Sequence, residues 1–145
     1  MHCHCYLRNG IVYIPTQGEI HKGLYLDVEP VAVVPLSDRA ALHRAFAETI
    51  ARGNPNVPLP KQSEIPPPLL PKYAGVKAWS TFARNASTWA ISQRDGAFGI
   101  NGYRKDGRGW VPDSNSVEIF PTETAADQVI DRMIAILQEA AAKRD

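Results

Sequence analysis

Two turn dipeptides constrain the fold of this 145-residue chain more than any other feature. Asn9-Gly10 and Asp95-Gly96 each lie between two runs of strand-forming residues. Such dipeptides favour the type I′ turn of a two-residue β-hairpin, and a loop of that length fixes which residues face each other across the hairpin. The sequence therefore predicts an antiparallel hairpin near the N-terminus and another in the second half of the chain.

The register of the first hairpin predicts one apolar face and one wetter face. Its expected facing pairs are Arg8 with Ile11, Leu7 with Val12, Tyr6 with Tyr13 and Cys5 with Ile14. Because side chains alternate along a strand, the core face should carry Cys3, Cys5, Leu7, Val12 and Ile14. The other face carries His2, His4, Tyr6, Arg8 and Tyr13, and we expect it to be the one exposed to water.

The second half of the chain is typical of an antiparallel meander. We expect strands at 87–93, 97–103, 110–111 and 117–120, with a turn at Gly107 and Gly109. In the hairpin closed by Asp95-Gly96, the facing pairs should be Ile91 with Ile100, Gln93 with Phe98, and Trp89 with Gly102.

Apolar residues at helical spacing predict two main helices. The first spans 38–52, with Ser37 as its N-cap and Gly53 as its stop. The last begins near 122–124, where Thr124 and Asp127 have the spacing of a capping box. Its predicted buried stripe is Ala126, Val129, Ile130, Met133, Ile134 and Leu137. A shorter helix is expected at 76–82.

The connecting segments carry weaker signals. We expect a turn near Gly18, a possible strand at 24–26, and a strand at 31–34 that is buried on both faces. Residues 54–71 contain seven of the twelve prolines, so they should form an extended strap over the surface. The expected apolar contacts of this strap are Leu59, Ile65, Leu69 and Leu70.

These elements predict a single α+β domain over residues 1–145, in which an antiparallel sheet is built from the N-terminal hairpin and the C-terminal meander and packs against two main helices. A formal charge of +1 provides no strong field to recruit nucleic acid or an anionic membrane. No apolar run reaches the roughly 20 residues of a membrane span. Two cysteines cannot form a disulfide framework, so we expect a reducing, cytoplasmic location.

The run His2-Cys3-His4-Cys5 concentrates residues that bind zinc or copper. In a strand, however, the two cysteines and the two histidines point to opposite faces, so one ion could reach at most two of the four. We therefore expect no metal site there, and apart from the pair of His21 and Glu19 nothing else in the sequence indicates a cofactor or catalytic residues.

Two other functions stay open. His21 and Glu19 could form the site of a small enzyme. The tract at 103–110 mixes basic and aromatic residues, as a platform for single-stranded RNA does.

Four features together resemble the immunity proteins of contact-dependent growth inhibition systems in Gram-negative bacteria. They are the hairpin at 6–13, the tract at 72–80, the meander around Trp89 and the terminal amphipathic helix, and the likeness extends from about residue 5 to 138. The resemblance implies a small cytoplasmic protein that binds the C-terminal toxin domain of a cognate surface effector, often a nuclease, and blocks it. It assigns no binding residue to this chain.

Partner-binding residues are therefore inferred from physical chemistry. Nuclease clefts are basic, so we expect carboxylates at Asp27, Glu29, Asp113 and Glu118 to contact such a toxin. Glu118 is included because Val117 and Ile119 should point inward and leave it outward. Tyr103 and Trp110 should anchor the contact together with Arg104, since these three residue types are enriched at interface hot spots.

Overall fold

Both turn dipeptides form the hairpins that the sequence predicts. In the computed structural model, which describes residues 1–59, 61, 68–107 and 109–144, Asn9 and Asp95 have φ angles of 51° and 52°. The following Gly10 and Gly96 have φ angles of 76° and 79°, as type I′ turns require. The predicted pairs of Tyr6 with Tyr13 and of Trp89 with Gly102 are confirmed, as are the others that the structure pairs in these two hairpins.

The six described strands form one antiparallel sheet. They are β1 (His2–Arg8), β2 (Ile11–His21), β3 (Leu24–Pro35), β4 (Ala86–Arg94), β5 (Ala97–Asp106) and β6 (Gly109–Ile119). Their order across the sheet is β3-β2-β1-β4-β5-β6. Pairing of β1 with β4 joins the N-terminal hairpin to the meander, which confirms the predicted fold class.

Two long helices, α1 (Arg39–Arg52) and α4 (Ala126–Arg144), pack on the first face of the sheet. The predicted core face of the first hairpin and the predicted stripe of α4 meet there, with Val12, Ile14 and Met133 fully buried. The caps differ by one residue from the prediction: Asp38, and not Ser37, accepts a hydrogen bond from the Ala41 N–H. At α4, Gln128 Oε1 accepts from the Ala125 N–H, which is half of a capping box placed one residue later.

The second face of the sheet is wetter than the first at His2, His4 and Arg8, as predicted, but it is buried at Tyr6 and Tyr13. Two short helices, α2 (Leu70–Ala74) and α3 (Trp79–Arg84), lie in this part of the chain; α3 overlaps the helix predicted at 76–82, and α2 precedes it. Leu70 and Phe82 from these helices pack on Tyr6 and Tyr13, whose side chains are only 6% and 4% exposed. The burial of Tyr6 and Tyr13 was not predicted, because helices this short have too few turns to show an apolar stripe in the sequence.

Two predictions for the first half of the chain are also wrong. Strand β2 continues through Gly18, where Val57 packs against the glycine, and the turn comes later, at Lys22-Gly23. The 31–34 run belongs to β3, which is an edge strand, and Val33 is 44% exposed. A run of β-branched residues at an edge is indistinguishable by sequence from one buried on both faces.

The orientation of β6 is the reverse of the prediction. The single strand β6 replaces the two short strands expected at 110–111 and 117–120. A register shift lies between Asn101 and Tyr103 of its partner β5. Beyond that shift Glu118 pairs with Ile100 on the first face, while Val117 and Ile119 point to the second face and are 46% and 79% exposed. A bulge of this kind moves every following side chain to the other face.

The described ends of the 54–71 segment are tied to the sheet. The Glu19 N–H donates to the Pro55 carbonyl at 2.8 Å, and the Val57 N–H donates to the Glu19 carbonyl at 3.0 Å. Of its predicted contacts, Leu70 is buried and Leu69 is half-buried, but Leu59 is 72% exposed and Ile65 lies outside the described residues. Among the helices of the described residues, none has the length and apolar character that crossing a membrane requires.

Candidate partner-binding groove

The second face of the sheet is covered at one end of its strands and open at the other. Helices α2 and α3 cover the end where Tyr6, Tyr13 and Ala86 lie. At the opposite end, a groove of about 490 Å³ includes His2, Ser92, Gly99 and Ile119 among its lining residues. We call this groove the open valley.

Strand register places the residues of the open valley in two rows. One row crosses four strands through His2, Ser92, Gly99 and Ile119, and the next crosses through His4, Ala90, Asn101 and Val117. Residues directly opposite each other in neighbouring strands share a face, so each row lies on the second face.

The middle positions of both rows carry short side chains, and the outer positions carry larger ones. Ala90, Ser92, Gly99 and Asn101 form a low floor on β4 and β5. Imidazole rings from β1 stand on one side and the aliphatic side chains from β6 on the other, about three strand spacings or roughly 14 Å apart. The valley is therefore a channel parallel to the strands. Arg94 lies at one end, and Tyr103 and Pro112 lie at the other.

A stack of aromatic rings forms the wall on the β1 side. His2 stacks on Tyr25 with ring centroids 4.7 Å apart. His4 lies between Tyr6 and Tyr103, with centroids at 5.0 and 5.1 Å. This stacking holds both imidazoles in place and connects the valley wall to the covered aromatic cluster around Phe82.

Both imidazoles of this wall are neutral at physiological pH. Burial, together with the neighbouring His4, lowers the pKa of His2 from 6.5 to about 4. Burial alone lowers the pKa of His4 to about 4. The His4 Nε2 atom is buried and has no hydrogen-bond partner within the described part of the chain.

Asp27 lies behind the wall as part of a polar cluster. Its carboxylate accepts hydrogen bonds from the Tyr6 hydroxyl, at 3.1 Å, and from the Gln17 side-chain amide. Burial raises the pKa of this carboxyl group, and the two hydrogen bonds act in the opposite direction. Asp27 is thus engaged within the protein, and its predicted contact with a partner stays a prediction.

Three other predicted partner-binding residues lie on the same side of the sheet. Tyr103 lines the open valley, as an anchor residue would. Trp110 packs on Tyr6 and Trp79, with ring centroids 5.9 and 5.7 Å away, and so belongs mainly to the covered aromatic cluster. Glu29 is exposed and pairs with Lys72 of α2 at 3.3 Å.

The remaining three predicted residues do not join them. Glu118 faces α4, where Arg132 Nε donates to both of its carboxylate oxygens at 3.1 and 3.0 Å, so its predicted outward orientation is wrong. Arg104 is exposed. It pairs with Val111 and lies between Tyr103 and Lys105, whose positions belong to the second face, so it alternates away from that face. Asp113 accepts a hydrogen bond from the Asn115 N–H at 3.0 Å in the irregular part of β6. The seven predicted residues therefore do not form one surface.

The sites considered for metal and enzyme chemistry are dispersed. Cys3 and Cys5 lie in the core of the first face, and His2 and His4 lie on the second, as strand alternation predicts. Within the described residues no group of three potential metal ligands comes together. His21 is exposed near the end of β2, and the backbone of Glu19 is engaged by Pro55 and Val57.

Sequence reasoning missed most of the open valley. The second hairpin register already places Ser92 opposite Gly99, so a low floor could have been read from the sequence. The pairing of β1 with β4 and the register shift of β6 could not have been read from the sequence. This pairing and this shift bring the histidines and Val117 to the sides of the floor.

Comparisons with known proteins bear on the fold. No protein-family model matches the chain, and no curated protein matches it. The chain is similar to the solved structure of NMB0488, a protein of unknown function from Neisseria meningitidis, with a TM-score of 0.68 and 14% sequence identity. The similarity covers 96% of this chain and 93% of the Neisseria chain. At this identity the likeness shows a shared α+β fold.

Proposed function

We propose that this chain is a cytoplasmic immunity protein that binds and neutralises the C-terminal toxin domain of a cognate contact-dependent inhibition effector, and that the open valley is the surface that contacts the toxin. The proposal combines the sequence resemblance with one structural observation. Ile119 and Val117 expose 79% and 46% of their surface side by side, directly beside a preformed groove.

This composition favours a protein partner. Tyr103 and Arg94 accompany the two exposed aliphatic residues, and tyrosine, arginine and apolar side chains are enriched in the cores of protein interfaces. Exposed apolar residues next to one another on an otherwise charged surface mark sites that are covered in a complex.

The sheet gives the valley a rigid base. Its floor belongs to β4 and β5, the first two strands of the meander, and its walls are held by ring stacking and by the strand register. A preformed surface loses little conformational entropy on binding, so it can hold a toxin tightly in one orientation. Inhibition is then steric: the bound domain cannot admit its own substrate.

Charge contributes at the periphery. Glu29 and Asp113 are the two predicted carboxylates that remain available near the surface, although Glu29 pairs with Lys72. Exposed charges of this kind mainly affect the rate of association with a basic toxin and its salt dependence. Asp27 and Glu118 bind groups within the protein and are left out of the proposed contact.

The test starts from the gene next to this one, since immunity proteins are encoded beside their effector. The C-terminal domain of a large exported effector encoded there should co-purify with this chain in equimolar amounts, and co-expression should restore growth to cells that produce the domain. A noncognate toxin domain of the same size is the control. Failure of both binding and growth rescue with the neighbouring effector would contradict the proposal.

A further inference from the structure

We propose that the open valley binds an extended segment of the partner that presents an apolar side chain flanked by a carboxylate, with Arg94 contacting that carboxylate. This inference rests on the proposed function for the identity of the partner as a protein. The chemistry of the bound group follows from the residues of the valley themselves.

The charge around the valley is positive only, within the described lining residues. Among its described lining residues none is Asp or Glu, and Arg94 is the fully charged group. His2 contributes no charge at neutral pH because burial holds its pKa near 4. Within the part of the chain that the structure describes, Arg94 forms no ion pair, so its guanidinium is free to bind a carboxylate.

Two acidic groups close to residues that line the valley do not compete for Arg94 within the described contacts. Asp27 does not line the valley, and the Tyr6 hydroxyl and the Gln17 amide occupy its carboxylate. Glu118 lies on the other face of the sheet and is held by Arg132.

The shape of the valley calls for an apolar group beside that charge. Its floor is low at Ala90, Ser92 and Gly99, and its outer wall is made of Val117 and Ile119. A volume of about 490 Å³ lies within the range of roughly 300–1,000 Å³ that is typical of pockets for small ligands. One or two side chains of a partner fill such a space, and the channel runs parallel to the strands toward Arg94.

The experiment uses the full chain and two fragments that differ in charge alone. The probes are 3-phenylpropionate and its neutral analogue 3-phenylpropionamide, titrated into isotope-labelled protein while amide chemical shifts are followed by NMR. We expect saturable shifts at Gly99, Asn101 and Val117, with the carboxylate binding roughly fivefold more tightly than the amide, as a partly exposed ion pair allows.

Two variants tie the binding to the valley. Arg94→Gln should bring the affinity for the carboxylate down to that for the amide, while Arg44→Gln on the exposed side of α1 should not. Gly99→Val should abolish binding of both fragments by filling the floor. A Cβ atom at position 99 meets only the Glu118 carbonyl oxygen at 3.4 Å, so the fold can accept it, and an unchanged spectrum elsewhere checks this.

Several outcomes would overturn the inference: equal affinity for the two fragments, preserved preference in Arg94→Gln, or shifts that spare Gly99, Asn101 and Val117. These results would leave a toxin complex possible through another surface. Conversely, fragment binding as expected with no binding of the effector domain would refute the proposed function and keep the carboxylate site.

Discussion

Two glycines of β5 lie three residues apart but have different surroundings. A Cβ atom at Gly102 would lie 2.9 Å from Ser116 Cβ and 3.3 Å from Trp89 Cδ1. At Gly99 the nearest atom would be the Glu118 carbonyl oxygen at 3.4 Å, an ordinary contact. Gly102 is thus required by packing, whereas Gly99 keeps the valley floor low.

Gly102→Ala should lower the free energy of unfolding by about 1–3 kcal/mol, because the strand has no room for the methyl group. Gly99→Ala is the matched control and should change it by less than about 0.5 kcal/mol. Urea unfolding followed by tryptophan fluorescence measures both. An equal loss in free energy of unfolding in the two variants would show that the close contact of Ser116 and Trp89 with Gly102 does not determine the loss of stability.

The neutral histidines should make stability depend on pH. The unfolded chain binds protons at His2 and His4 below pH 6.5, whereas the folded chain does so only near their lowered pKa of about 4. The unfolded state therefore holds more protons between these values, and stability falls as the pH drops from 6.5 to 4. The raised pKa of Asp27 acts in the opposite sense, since its folded form loses stability as the pH rises through that pKa.

His4→Phe should reduce the loss of stability on acidification, since phenylalanine keeps the stacking with Tyr6 and Tyr103 but does not titrate. The difference in free energy of unfolding between the variant and the original chain should be more favourable to the variant at pH 4 than at pH 7, by on the order of 2 kcal/mol. Unfolding in urea at pH 7, 5.5 and 4 checks this, with His21→Phe at an exposed position as control. If the dependence of unfolding free energy on pH is the same in His4→Phe, the burial of a neutral imidazole at this position is contradicted.

At the scale of elements, α3 determines which end of the second face is covered. Its Phe82 is fully buried, and its ring contacts those of Tyr6 and Tyr13 at centroid distances of 5.7 and 5.4 Å. A helix of six residues has little stability of its own, so this contact is what keeps it on the sheet.

Phe82→Ala should cost about 3–5 kcal/mol of stability and expose Tyr6 and Tyr13 to solvent. Phe120→Ala, at a half-buried position, is the control and should cost less. Denaturant unfolding gives the energies, and hydrogen exchange shows whether α3 is released. Retained protection of α3 in Phe82→Ala would mean that other contacts hold the helix.

The elements also show what could be predicted from the sequence. Asn9-Gly10 and Asp95-Gly96 set both hairpin registers, because local turn chemistry determines them, and the apolar stripe of α4 was identified from its periodicity. The orientation of Val117 depends on a register shift in β5 and β6, and the coverage of Tyr6 depends on α3, which is distant in the chain. Such tertiary effects leave no local pattern, so the predicted surface around Glu118 was placed on the wrong face.

In the molecule as a whole, the two faces of one sheet have different roles. The first face is buried under α1 and α4, which provides the main core. The second is buried only at the end beneath α2 and α3, and its other end is left as a groove with exposed apolar residues. A surface left open on a rigid base is what a binding protein presents, so the proposed function depends on that asymmetry.

The open valley can be tested against a matched position at the opposite edge of the sheet. Val117 and Val33 are 46% and 44% exposed on β6 and β3, five strand spacings or roughly 24 Å apart. Isothermal titration with the C-terminal domain of the neighbouring effector should show affinity reduced at least tenfold, about 1.4 kcal/mol, in Val117→Asp and little changed in Val33→Asp. Unchanged affinity in Val117→Asp, or an equal loss in Val33→Asp, would contradict the assignment of the valley as the binding surface.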